Sequence, residues 1–247
     1  MKKIFKEKPI LFILFGAIAF FNLVYTLNFL KNISTDGAVD FNTYWYSGLF
    51  IRQGINPYQG FLQNHAIKIP ISFLFGGPTD FASIETNPGS LNVRPGNTAP
   101  FVLIISLFSF LPLNLATKVW TVFNIIFAIV IPILILDYFK RTKLRIPKYF
   151  YPLSVLVFLS LNMTSRGVIA NGQNGLLILL LIFLALIIAD RRKPIIAGIF
   201  LGVALSKYNF AFPIFVYFLI KKEWQILITA IVVQLFLYRT LITSGPG

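Results

Sequence analysis

Cysteine is missing from the 247 residues, and histidine occurs once, at His65. Without cysteine there is no disulfide framework, no thiolate metal site and no thiol nucleophile. A single histidine argues against a histidine-built metal cage and against a Ser-His-Asp triad. Charge is scarce as well: charged residues make up 12% of the chain, against about 25% in soluble domains. Acids are scarcer than bases, with 8 Asp+Glu against 22 Lys+Arg and a net charge of +14, and no Asp-x-Asp pair occurs. What fills the chain instead is apolar: 57% of residues are hydrophobic, and the mean hydropathy is +0.78. A soluble fold of this size cannot hide that much apolar surface. An ordinary soluble enzyme and a disordered chain are both excluded, and a polytopic membrane protein is left.

The basic residues cluster in short loops between apolar runs. That pattern is the positive-inside bias together with attraction to anionic lipid, rather than a nucleic-acid footprint. Met1 to Lys8 carries four lysines, and Pro9 to Leu30 is almost wholly apolar, long enough for a bilayer core of about 30 Å. It reads as a first transmembrane helix with a cytoplasmic N-terminus, not as a cleaved signal. Residues 31–98 balance four basic residues (Lys31, Arg52, Lys68, Arg94) against four acids (Asp36, Asp40, Asp80, Glu85). This is the expected translocated, extracytoplasmic loop. Within it, Phe41, Tyr44, Trp45 and Leu49 recur at helical spacing, which predicts an amphipathic interfacial helix from Asp40 to Arg52. Gly54, Asn56 and Pro57 end it, and the remainder reads as loop.

Apolar runs then crowd together at Ala99–Leu111, Val119–Tyr138, Tyr149–Leu161, Gly175–Ala189, Ile195–Leu205, Phe210–Ile220 and Ile226–Leu237. Several are well short of 20 residues, so half-helices or re-entrant segments are expected, and these survive at membrane depth only inside protein or beside a watery cavity. The link Lys140–Lys148 holds five basic residues and no acid, and favours the cytoplasm. That placement requires an odd number of crossings before it, whereas a split at Pro112 suggests two helices. With the link inside, Thr164–Asn174 and Ser206–Asn209 fall outside, and Asp190–Lys193 and Lys221–Glu223 fall inside. The run ending in Ser-Gly-Pro-Gly is an abrupt end to a bundle, so the chain (1–247, one integral membrane domain, its bundle at 99–240) reads as the N-terminal portion of a longer protein.

Few residues here carry chemistry. Asp40 lies about ten residues after the first helix, amid aromatics; a partly desolvated carboxylate there serves as a general base, or else it is the N-cap of the helix that follows. Asp36, Asp80 and Glu85 read as solvated loop residues. Gly54-Ile55-Asn56-Pro57-Tyr58 is a turn with Tyr58 as a headgroup-level anchor. Arg166 sits just after an apolar run. Asn171-Gly172-Gln173-Asn174 opens the next run, where it either hydrogen-bonds a sugar or caps the helix. Lys207 is isolated among apolar residues, which by default marks a functional site. A phosphate or diphosphate is its natural partner, with snorkelling to the interface as the alternative.

In order, Asp40, Tyr44, Gly54, Asn56-Pro57-Tyr58, Pro100, Pro112, Trp120, Asn124, Gly172-Gln173-Asn174, Ala197-Gly198, Gly202 and Lys207 form a pattern that resembles glycosyltransferase family 87 between Pro9 and Trp224. That family belongs to the C-type (GT-C) membrane glycosyltransferases and includes polyprenol-phosphate-mannose-dependent alpha-1,2-mannosyltransferases. The resemblance implies an all-α helical bundle of the plasma membrane, with its active site on the extracytoplasmic face and Asp40 as catalytic base. It implies a sugar donor, most often mannose, on a polyprenyl phosphate, a lipid or glycan acceptor, inversion at the anomeric carbon, no cofactor and no nucleic-acid partner. A phosphate leaving group needs little protonation, so one carboxylate suffices, no metal is required, and a nearby cation offsets the developing charge. Lys207 and Arg166 are the candidates for that cation, ahead of Arg94; Tyr44, Tyr58, Gln173 and Asn174 are the other expected substrate-binding residues. A lipid or polysaccharide transporter, or an inactive truncated remnant, are the competing readings.

Overall fold

A computed structural model of the chain describes residues 16–18, 20–21, 24, 39–52, 66–70, 81–85, 99–141, 154, 168–169 and 171–243. Of the first apolar segment, six positions between Gly16 and Val24 are described, all helical with exposed side chains. Its bounds lie outside the described residues, as does the run Tyr149–Leu161 apart from Ser154.

The expected all-helical architecture is present. Helix α1 spans Val39–Arg52, α2 Ala99–Ser106, α3 Leu113–Arg141, α4 Gly175–Asp190, α5 Pro194–Ala204, α6 Tyr208–Ile220 and α7 Trp224–Thr243. Short 3₁₀ turns at Leu107–Phe110 and Leu205–Lys207 follow α2 and α5. One departure from the sequence reading lies in the segment expected to be loop. There β1 (Ala66–Pro70) pairs antiparallel with β2 (Phe81–Glu85), Lys68 opposite Ser83. The alternation around Ile67 and Ile69 supplies β-branched residues that a Gly- and Pro-rich composition obscures.

Helix α1 forms where its spacing predicts, but its inward face is broader than an interfacial helix requires. Phe41, Trp45 and Phe50 are fully buried, and so is Ser47. Ser47 donates its hydroxyl to the Thr43 carbonyl at 2.8 Å, which satisfies it within its own helix. A Cβ at Gly48 would come within 2.8 Å of the Ser106 Cα, so Gly48 lets α1 approach α2 closely.

The split at Pro112 is also observed. Leu111 is extended (φ −100°, ψ 150°), as a residue before proline prefers, and α3 starts at Leu113. Trp45 donates its indole N–H to the Leu111 carbonyl at 2.9 Å. Arg52 donates to the Ser109 carbonyl at 2.6 Å, with its guanidinium over the Phe110 ring. The end of α1 thereby ties down the break. Helix α2 and its 3₁₀ turn together reach only about 20 Å, short of a bilayer core of about 30 Å. The apolar stretch Leu113–Phe139 is long enough by itself, so the segment before the basic link holds one full-length apolar helix preceded by a short one.

The other long apolar stretch, Pro194–Ile220, is not one rod. A Cβ on Gly198 would lie 2.6 Å from Thr229 Cβ and 2.7 Å from the Ile226 carbonyl oxygen, and one on Gly202 would lie 2.8 Å from Val233 Cβ. This register makes α5 and α7 parallel, with their starts level. Helix α6 must therefore fold back between them, turning at Lys207 (φ −124°, ψ 75°). Its last buried ring, Phe218, joins Ala185, Ala197, Leu201, Ile226 and Leu227 in one apolar cluster, as that path requires.

The helix directions sort the turns into two ends. Helices α3 and α4 run alongside in the same sense, from Trp120 beside Gly172 to Tyr138 within electrostatic reach of Asp190 and Tyr217. The end of α3, where the link at 140–148 begins, thus shares one end of the bundle with the turns at 190–193 and 221–223. Asn171–Asn174 and Lys207 share the other. Within the described residues this is the grouping expected for a cytoplasmic link.

Candidate active site

Asp40 lies in the first turn of α1, one residue inside the helix, so it does not occupy the N-cap position. Its backbone N–H, one of the donors that a helix start leaves without an intrahelical partner, bonds to the Asn171 carbonyl at 3.1 Å. The carboxylate is half-buried. Its negative charge acts on the Lys207 ammonium, which brings together two residues 167 positions apart in the chain.

Lys207 occupies the apex of the α5–α6 hairpin. Its ammonium donates to Asn174 Oδ1 at 2.8 Å and lies 5.2 Å from the centroid of the Phe210 ring. A half-buried lysine engaged with a buried amide is not snorkelling into water. Asn174 stands at the N-cap position of α4, yet makes no side-chain cap bond. Its fully buried side chain is turned to Lys207 instead, so it is not the cap of α4 and has a partner that the reading of the amide-rich turn did not name.

The turn holding Asn174 is wired into its surroundings. Gly172 has φ 67°, a backbone conformation glycine adopts at little cost. The Gln173 N–H bonds back to Val168 at 2.8 Å, and that of Gly172 to Ile169 at 3.1 Å. The Gly172 carbonyl accepts the Trp120 indole N–H at 2.8 Å. The Trp120 ring in turn stacks on Phe41, with centroids 5.7 Å apart and planes 17° off parallel. Trp120 therefore holds the residue next to Asp40 with its face and the turn carrying Asn174 with its edge.

A second brace comes from α7. Gln234 donates to the Gly202 carbonyl and lies 3.3 Å from the Ser206 hydroxyl. These groups flank the point where the α5 ladder gives way to a 3₁₀ turn. The amide occupies the backbone group that the break releases, and so fixes the turn that ends at Lys207. Sequence reasoning did not select Gln234, although it is the one amide in the apolar run Ile226–Leu237. It noted Trp120 only as part of a pattern.

Of the expected site residues, Asp40, Asn174 and Lys207 come together. Tyr44, one turn beyond Asp40, is buried with its ring edge-on to Phe101 at 5.2 Å. The Gln173 side chain is half-buried beside them in sequence. Tyr58, Arg166, Arg94, His65, Asp36 and Asp80 lie outside the described residues, and only the backbone of Glu85 is described, on β2. Burial pushes the Tyr46 phenol above its ordinary value, which keeps it protonated.

A helical membrane protein with a carboxylate and a lysine gathered at one end of its bundle is the class these observations define. The chain belongs to glycosyltransferase family 87: the family's profile matches residues 97–242, more than half of the sequence, and makes it a membrane glycosyltransferase. The matched stretch contains Trp120, Asn174, Lys207 and Gln234, whereas Asp40 and α1 lie ahead of it. The chain matches none of the curated proteins and none of the solved structures compared with it.

Proposed function

We propose that the protein transfers a sugar, mannose in the first instance, from a polyprenyl phosphate to a lipid or glycan acceptor, with inversion at the anomeric carbon. The observation that carries this reading is that Asp40 and Lys207 are both bonded to the Asn171–Asn174 turn, Asp40 through its backbone N–H and Lys207 through its ammonium. Asp40 accepts the proton of the acceptor hydroxyl as that oxygen attacks the anomeric carbon. The bond from that carbon to the phosphate oxygen breaks, and its electron pair leaves with the polyprenyl phosphate. Lys207 meets the charge that grows on the departing phosphate. Asn174 keeps the ammonium directed toward that point.

Charge placement supports the extracytoplasmic face for this chemistry. Basic residues favour the cytoplasmic side, and the exposed basic turns lie at the end of the bundle away from Lys207, one 16-residue helix of about 24 Å removed. On this reading the protein is a multi-pass protein of the plasma membrane, with a cytoplasmic N-terminus. The donor's tail stays in the bilayer while its phosphate stands at the helix ends beside Asn174.

The test incubates membranes containing the protein with radiolabelled polyprenyl-phosphate mannose and follows label into lipid and polymer products. The unmodified protein should make a new glycoside. Asp40→Asn, which keeps the shape but not the basicity, should lower the rate by about 10²–10⁴-fold with unchanged membrane insertion. Near-normal transfer by that variant would remove Asp40 from the chemistry. Transport of the labelled lipid without a new glycosidic bond would favour a transporter.

A further inference from the structure

The end of the bundle remote from Lys207 carries a surface that catalysis does not use. The turns after α4 and α6 are built alike. In each, the helix closes with a bond from the third residue past its end back to the last-turn carbonyl: Lys193 N–H to Ile188 at 3.2 Å, and Glu223 N–H to Phe218 at 3.0 Å. In each, the residue before that donor has a left-handed backbone, Arg192 at φ 57° and Lys222 at φ 58°. This is the position at which helices ordinarily place glycine. Both turns place a long basic side chain there instead, at a conformational cost of about 1–2 kcal/mol each.

The α5–α7 register sets the two turns at one height, because residues 198 and 202 face 226–229 and 230–233. Arg191, Arg192, Lys193, Lys221 and Lys222 are all exposed, and among the described residues none of the five forms an ion pair. The acids beside them are Asp190 and Glu223, also exposed, with Asp137 half-buried on α3 and engaged elsewhere. Aromatic residues mark the same level: Tyr217 lies under the Lys221 ammonium at 5.9 Å, with Tyr138 nearby and Trp224 opening α7, 56% exposed. From Trp224 an exposed apolar stripe continues along α7 through Ile228, Ile231 and Leu235. Cations at headgroup height above an apolar stripe match one occupant, in which an anionic headgroup and acyl chains are joined.

We propose that the paired turns 191–193 and 221–222 bind an anionic phospholipid, its headgroup phosphate between them and its chains along the exposed face of α7. The site is separate from the donor site and does not depend on the proposed reaction.

Trp224 reports on this site directly. It is the exposed one of the three tryptophans, Trp45 and Trp120 being buried. The full chain is reconstituted in phosphatidylcholine vesicles containing a fixed fraction of acyl-brominated phosphatidylglycerol or, separately, brominated phosphatidylcholine, and bromine quenching is compared, with Trp224→Phe giving the background. Brominated phosphatidylglycerol should show an apparent affinity at least about fivefold higher than the neutral lipid, the order that one well-placed basic residue gives near an anionic surface. The preference should be lost when all five basic residues are replaced by Gln. It should shrink stepwise in R191Q/R192Q and in K221Q/K222Q, which keep the test decisive should the fivefold replacement fail to fold. Equal quenching by the two lipids, or a preference that survives both double replacements, overturns the proposal. Competition by free inorganic phosphate, with no lipid preference, overturns it too, since it would assign the turns to a soluble anion.

Discussion

At one end of the bundle five exposed basic side chains stand on two matched turns without an ion pair among the described residues. At the other, a single ammonium is tied to a fully buried amide and lies within electrostatic reach of a carboxylate from a helix distant in sequence. The difference follows from the surroundings. Water and headgroups solvate the first set, so those residues need no partner and gain little from one. Lys207 is half-buried among apolar helices, where an ionised group persists only with partners supplied by the protein. Number of charges therefore says little about how firmly a charge is held; the sparsely charged end is the one on which hydrogen bonds converge.

The strongest way to break that asymmetry is Lys207→Met, which keeps length and apolar packing and removes the charge. Transfer should fall by about 10²-fold or more, read as initial rate with radiolabelled donor, with about 1–3 kcal/mol of stability lost as the buried Asn174 amide loses its donor. Next in size is Gly198→Val, which attacks the element joining both ends. Its Cβ meets Thr229 and the backbone of Ile226, so α5 and α7 must separate; a loss of about 1–3 kcal/mol is expected, read by thermal unfolding in detergent. The mildest is Trp120→Phe. The stack on Phe41 is kept, but the Gly172 carbonyl loses its donor. About 1 kcal/mol of stability should go, with a several-fold loss of transfer that Lys207→Met in the same chain does not compound additively, because both act through one turn.

Much of this was legible in the residues. Pro112 announces its break, because a proline lacks the N–H and restricts the residue before it. The spacing of Phe41, Tyr44, Trp45 and Leu49 announces α1. The isolation of Lys207 announces an ammonium that needs a partner from the protein, and Asn174 is one. Less legible was the burial of α1, since Thr43, Ser47 and Gly48 look like a solvent face in sequence, whereas Thr43 and Ser47 are buried and Gly48 packs closely on Ser106 and Ser109. The Asn174 side chain looks like a cap and is a lysine partner. The association of residues 40 and 207 was legible only through the family resemblance, because no local period links positions so far apart and the turn at Asn171–Asn174 joins them only in the folded chain.

Trp120 has a mechanical consequence. Its face presses on the residue following Asp40, and its edge grips the carbonyl two residues before Asn174. Tilting or sliding of α3 would carry the start of α1 at Asp40 and the turn at Asn174 along as one rigid jaw, with their spacing preserved. Room for substrates of different size would then have to come from elements that Trp120 does not hold.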